Sequence, residues 1–179
     1  MCKQYILGEI PNLENPEVLQ NTKHPKYGNI VIFKNNLKIN NIKKHLIFFE
    51  NTKSFAYFEL RHILNNQILN RFFKSVCNVG YLGNAKGTQK NNKIKTIWSN
   101  MISRCYDPKN KRYYCYGGKG ITVSEKWLCF EFFLNDFEKI KGYNKELFDK
   151  GLLQLDKDKN NGKIYSLENC EFITQKENI

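Results

Sequence analysis

Hydrophobic and polar positions change rhythm along the 179 residues of this chain. In the first part, apolar residues come in short runs separated by Asn-rich breaks: Tyr27 to Phe33, Lys44 to Phe49 and Phe55 to Leu60, with Asn65-Asn66 as a turn. Runs of that length, rich in β-branched and aromatic side chains, predict strands. Three to five of them would make a small sheet or barrel, with too little core to be very stable alone. The rhythm then becomes helical. Ile94, Ile97, Trp98, Met101 and Ile102 fall at i, i+3, i+4, i+7 and i+8, one stripe of a helix. Arg104 and Cys105 close that helix, and Asp107-Pro108 ends it. A short strand at Ile121 to Val123 leads to a second predicted helix, capped by Ser124 and burying Trp127, Leu128, Phe130, Phe133, Leu134 and Phe137. Near the end, Leu153 to Leu155 and Cys170 to Ile173 read as two strands, Asn160-Asn161-Gly162 as a turn, and Gln175 to Asn178 as the start of a helix.

Between the two rhythms lies Gly80-Tyr81-Leu82-Gly83-Asn84-Ala85-Lys86-Gly87, followed by Lys90-Asn91-Asn92-Lys93. Glycines at that density with lysines behind them read as a mobile basic connector. The expected organisation is therefore α+β: a small β-rich module over 1–79, a linker over 80–93 and an α/β unit over 94–179.

Charge sharpens this picture. The chain carries 29 Lys and Arg against 17 Asp and Glu, a formal +12 with a pI near 9.4, which suits a polyanionic partner. A composition rich in Lys, Asn and Ile explains lysine in place of arginine, but not the deficit of acids. Residues 86–126 hold 10 basic and 2 acidic side chains, whereas residues 127–179 hold 8 basic and 10 acidic. The excess is thus concentrated in one stretch. No apolar run approaches the ~18–20 residues needed to cross a bilayer, so no membrane partner is expected. The first ten residues lack the apolar core of a signal peptide, and the expected compartment is the cytosol. The six cysteines form no C-x-x-C pair, and His24, His45 and His62 all lie in the first third. Free, partly buried thiols are expected, and structural zinc is not.

Two stretches carry candidate chemistry. Lys111-Arg112-Tyr113-Tyr114 is basic and aromatic, suited to phosphate contacts with ring stacking on an opened or distorted strand. Its bland reading is a solvated loop with tyrosines packed on the core. The following Gly117-Gly118-Lys119-Gly120 permits close backbone approach, but it lacks the strand and the Lys-Ser/Thr pair of a nucleotide-binding phosphate loop. The second stretch is Leu155-Asp156-Lys157-Asp158, then Tyr165-Ser166-Leu167-Glu168-Asn169, then Glu177-Asn178. It steps 12 residues from Lys157 to Asn169 and 9 from Asn169 to Asn178. Its bland reading is a solvated hairpin rich in turn residues.

Taken in order, Trp98-x-x-Met101-x-x-Arg104-Cys105-Tyr106, Tyr116-Gly117-Gly118-Lys119-Gly120-Ile121, Trp127 and the C-terminal string resemble the HNH endonuclease family, in its phage-borne and homing forms. The resemblance covers roughly residues 78–178; the N-terminal segment is similar only loosely to the small β modules that precede such fingers. It implies a ββα finger that hydrolyses DNA phosphodiesters with Mg²⁺ or Mn²⁺, in a bacterial host or phage-infected cell. Asp156 and Asn178 would be the metal ligands and Asn169 the orienting amide. Position 157, where that family places its general-base histidine, holds Lys157. A lysine with its ordinary pKa near ~10.4 is protonated at neutral pH and suits a phosphate better than a proton. Asp158 is a substitute base, although as the alternate residue of an extended strand it faces the other way, and Tyr165 is another. Arg104, Lys109, Lys111, Arg112, Tyr113 and Lys119 would position the nucleic acid, double-stranded DNA first and RNA second. Three readings are open: a metal-dependent DNA endonuclease, a DNA-binding protein that kept the scaffold without catalysis, or an inhibitor that occupies the nucleic-acid channel of a host enzyme.

Overall fold

The computed structural model describes residues 17–34, 38–39, 41–86, 89–157 and 162–174. The architecture is α+β, as expected, in two compact units, Met1–Phe73 and Lys74–Ile179.

The first unit is built on four antiparallel strands, β1 (Val18–His24), β2 (Gly28–Phe33), β5 (His45–Phe49) and β6 (Ser54–Phe58), in the order β1-β2-β5-β6. A two-stranded ribbon, β3 (Lys38–Ile39) with β4 (Ile42–Lys43), lies between β2 and β5 in sequence. Ile30 pairs with Phe49 and Ile32 with Ile47, so the alternation of the strands puts all four on one face. That face packs with Tyr27 and Ile68 into the core of the unit, flanked by a short helix α1 (Leu60–Leu64). The turn from β1 to β2 is fixed by His24, whose Nδ1 accepts the backbone N–H of Lys26 at 3.1 Å and of Tyr27 at 3.3 Å. The three apolar runs became β2, β5 and β6; β1 was not anticipated, because its exposed Val18-Leu19-Gln20-Asn21 shows no apolar alternation.

The second unit is organised by α2 (Gln89–Tyr106). Its predicted stripe is its buried face: Ile94, Trp98, Met101, Ile102 and Cys105 join Trp127, Phe130, Phe133 and Phe137 in one core. Trp98 Nε1 donates to the Trp127 carbonyl at 2.7 Å, so neither its ring nor its polar atom is left unmatched in the interior. The second predicted helix is broken in two. A 3₁₀ turn covers Glu125–Leu128 and the α-helix α3 covers Phe130–Asp136, while Cys129 between them is extended. The cause lies in the segment expected to be a linker. Tyr81 N donates to the Leu128 carbonyl at 3.0 Å and Phe130 N donates to the Tyr81 carbonyl at 2.8 Å, a two-bond bridge that pulls Cys129 out of helical geometry.

The described residues of the expected linker over 80–93 are therefore built into the second unit. Ala85 is buried in the second core, Asn84 N donates to Glu131 at 2.8 Å, and α2 begins at Gln89. Gly83 is needed for a tight fit rather than for mobility: its φ is +60°, and a Cβ there would stand 2.7 Å from the Cys129 sulfur. The division between the units falls after Phe73, not after 79.

Beyond α3, the helix α4 (Lys145–Asp149) precedes the strands β8 (Leu153–Asp156), β9 (Ile164–Tyr165) and β10 (Glu171–Thr174). β8 and β10 pair antiparallel, with Leu155 opposite Phe172 and Asp156 opposite Glu171. The two predicted strands thus form a hairpin at nearly the expected positions. β9 pairs instead with β7 (Thr122–Val123), in parallel. The predicted helix after β10, most of the turn before Gly162, and the residues Asp158 and Asn178 lie outside the described residues.

Candidate nucleic-acid interface

Three local structures position the site in the C-terminal unit. The first is the end of α2. Pro108 cannot continue the helix, and two side-chain turns shape the loop beyond it. Asp107 accepts the backbone N–H of Lys109 at 3.0 Å, and Asn110 accepts that of Arg112 at 2.9 Å. Asn110 also donates to Ser103 at 2.8 Å, tying the loop back to α2. The second is the 3₁₀ turn Tyr113–Cys115, which leads into a second one at Gly117–Lys119. Gly117 is the contact point: a Cβ there would stand 2.1 Å from the Cys105 carbonyl oxygen and 2.4 Å from the Tyr113 ring, so only glycine brings this loop against the helix. The third is the sheet pair. The Tyr106 hydroxyl accepts the N–H of Val123 at 3.0 Å, β7 holds β9, and β9 presents Tyr165.

Together these enclose a cleft of about 740 Å³. Arg104, Asn110, Lys111, Arg112, Tyr116, Gln154, Asp156 and Tyr165 line it, with Ile97 and Asn100 on the α2 side. Of the residues singled out from sequence, Arg104, Lys111, Arg112 and Asp156 are brought together here. Lys109 and Lys119 are exposed but do not line the cleft. Tyr113 is half-buried against the glycine turn, and its neighbour Tyr114 is the exposed ring, at 72% of its full surface.

Lys157 sits differently from the expected phosphate contact. It is 4% exposed, its ammonium 5.5 Å from the centre of the Tyr116 ring and 5.9 Å from that of Tyr165. Those rings lie nearly parallel, 6.4 Å apart, and Arg104 covers Tyr116 with its guanidinium carbon 4.8 Å from the ring centre. Two cations and two aromatic rings thus form the wall of the cleft, an arrangement attractive to both partners where water is excluded. Lys157 stands at the back of that wall and is not among the residues that line the cleft.

Tyr165 is excluded as the substitute base. Burial pushes its phenol well above the ordinary value near 10, so it stays protonated at neutral pH. Burial likewise pushes the Cys105 thiol up to about 11, against the pull of Arg104 and Lys157, and the Cys170 thiol up to about 12. Neither thiol is a nucleophile at neutral pH. None of the five described cysteines is in a disulfide.

Asn169 donates its amide to the Ile164 carbonyl at 3.2 Å, and Gly162 packs against its Cβ and against the Lys157 carbonyl. The amide therefore fastens the turn between β9 and β10. Across the hairpin Glu171 stands opposite Asp156, which would put like charges together, but Lys141 lies 3.5 Å from the Glu171 carboxylate. Asp156 is, among the described residues, the carboxylate that lines the cleft. Among the described residues no three His, Cys, Asp or Glu side chains converge as a metal set.

Sequence reasoning did not single out Asn100, Asn110, Tyr116 or Gln154 as lining residues. Asn100 could have been found, four residues before Arg104 and so on the same face of α2. Tyr116 and Gln154 come together only through the fold. No protein-family model, curated protein or solved structure matches this chain.

Proposed function

We propose that the protein binds double-stranded DNA through the cleft of its C-terminal unit, and that this unit is an HNH-like scaffold working in the cytosol of a bacterial or phage-infected cell. The observation that carries the reading is the convergence of Arg104, Lys111 and Arg112 from two structural elements onto one cleft that, among the described residues, is faced by one carboxylate, Asp156. Guanidinium and ammonium groups so placed bind phosphate oxygens, and a lone carboxylate among them would repel the same phosphate unless a cation lay between. In the hydrolytic form of this reading, Asp156 would hold Mg²⁺ or Mn²⁺, and the ion would supply stabilisation of negative charge on the phosphate and leaving oxygen. Arg104, Lys111 and Arg112 fix the phosphodiester, Asn110 positions Arg112, Asn169 fastens the turn between β9 and β10, and Lys157 stands at the back of the aromatic wall.

A second reading, DNA binding without cleavage, is favoured by one specific observation. The C-terminal unit contains no histidine, and the residue at the family's base position is a buried lysine packed on two tyrosines. A plasmid-nicking assay with Mg²⁺ and Mn²⁺, run beside duplex binding at several salt concentrations, separates the two. Nicking that disappears in Asp156→Ala supports hydrolysis. Salt-sensitive binding with no nicking, or nicking that appears only in Lys157→His, supports the binder. Absence of binding to both DNA and RNA at low salt overturns both.

A further inference from the structure

Tyr114 is placed unlike the tyrosines around it, its hydroxyl bonded to the side chain of the adjoining Cys115. The other described tyrosines of the C-terminal unit, Tyr81, Tyr106, Tyr113, Tyr116, Tyr143 and Tyr165, are buried or half-buried, whereas Tyr114 turns 72% of its surface to solvent. Its backbone is held firmly: it lies inside the 3₁₀ turn Tyr113–Cys115, which Gly117 locks against α2. It comes two positions after Arg112, a lining residue of the cleft; Lys109 and Lys111 are exposed in the loop just before its turn, and Lys119 ends the following 3₁₀ turn. A large ring kept out of the core on a rigid basic loop is the combination that stacks on a nucleobase while cations hold the backbone on either side.

We infer that Tyr114 is a stacking residue for an unpaired base, so that the preferred ligand of the cleft is a strand opened or distorted beside the bound phosphate rather than a regular duplex. This rests on the nucleic-acid reading above and adds to it the structural class of the substrate. A base inside an intact duplex offers no face to a side chain; one displaced from the stack does. Tyr114 therefore selects for DNA whose bases are already unstacked.

The test is fluorescence anisotropy on the full chain with three DNA ligands: a regular duplex, the same duplex with a central bulge, and the single strand. Aminopurine in the bulge or strand reports stacking directly. Tyr114→Ala should weaken bulge and single-strand binding by about 5- to 150-fold, the range of one base–aromatic stack. Duplex affinity should stay within about twofold, and the aminopurine quenching seen with wild type should vanish. Tyr114→Trp should restore both. Thermal unfolding should be unchanged in each variant, since the ring is exposed. Equal loss on duplex and single strand, or unchanged binding and quenching, overturns the inference. If duplex binding is salt-sensitive and falls with Arg112→Ala while Tyr114→Ala is silent, this inference fails and the broader reading stands. If neither variant nor salt affects binding, the broader reading itself fails.

Discussion

The Arg104 guanidinium lies over the Tyr116 ring, its central carbon 4.8 Å from the ring centre and Nη1 3.5 Å from the phenol oxygen. Arg104 Nε also donates to the Asn100 carbonyl one turn back in α2, at 3.3 Å. The side chain is thus held on one flank by its own helix and on the other by the loop that Gly117 pins in place. A guanidinium so oriented is preorganised for a phosphate, because less rotamer freedom remains to be lost on binding.

Removing that cation should act on affinity and not on the fold. Arg104→Ala is expected to weaken duplex binding by roughly tenfold, about 1.4 kcal/mol, and to lower the slope of log K against log salt by about one. Tyr116→Leu keeps the charge and loses the platform, so a smaller loss of about two- to fivefold is expected, in line with a cation–π contact at a partly exposed site. Binding isotherms at four or more salt concentrations check both; a loss in Tyr116→Leu larger than in Arg104→Ala would show that the ring, not the charge, meets the ligand.

Gly117→Ala should damage the whole cleft. The new methyl would meet a backbone carbonyl of α2 at 2.1 Å, and neither helix nor loop can yield without breaking the turn that carries Tyr113 to Cys115. A cost of about 2–4 kcal/mol is expected by urea unfolding, with loss of DNA binding in parallel. Gly120→Ala provides the contrast. Its φ of +77° strains any side chain, but no atom lies within 4 Å of the added methyl, so its cost should be about 1 kcal/mol.

How much of the fold and site is legible in the sequence depends on whether a feature is local. The α2 stripe and the β8–β10 hairpin are encoded by periodicity within a few residues, and both stand where the pattern places them. The unbroken helix through Trp127 to Phe137 fails because Tyr81, nearly fifty residues away, bridges across Cys129. No local pattern encodes that. The glycines of 80–87 read as slack because composition cannot distinguish a free glycine from one crowded by Cys129 and Glu131. At the site, Arg104, Lys111, Arg112 and Asp156 are legible as charges, but Lys157 is not legible as a buried residue. Its burial needs the rings of Tyr116 and Tyr165, which arrive from different segments.

Asp136 should make the stability of the C-terminal unit acid-sensitive. Its carboxylate is buried, which alone would raise its pKa, but hydrogen bonds from Lys126 and Trp127 and the charges of Lys126 and Lys139 outweigh burial and hold it below the usual range. A carboxylate depressed in the fold contributes stability above its unfolded pKa of about 3.9, and that contribution is lost as pH falls through the lower folded value. Urea unfolding from about pH 5 down to pH 2 should show this loss, and Asp136→Asn should flatten it. At neutral pH the Asn variant should cost about 1–3 kcal/mol: the Trp127 N–H keeps an acceptor, and the lysines, both more than half exposed, return to water.

The thiols give an independent test of the buried wall. In a Cys2→Ser background, Cys77 and Cys115 should react first with a disulfide reagent at neutral pH, both being only half-buried. Cys105, Cys129 and Cys170 are buried and should stay silent until the unit unfolds. A raised thiol pKa also fixes a pH dependence. The unfolded chain ionises near the ordinary value of 9.0, while the folded one holds the protons to about 11 at Cys105 and about 12 at Cys170. The stability these neutral thiols contribute is complete below pH 9 and is lost as pH climbs through that window. Cys105→Ala should make alkaline unfolding shallower. Rapid labelling of Cys105 in the native protein at neutral pH would mean that the face of α2 beneath Arg104 is open to solvent, and the cleft as built from Arg104, Tyr116 and Lys157 would then be wrong.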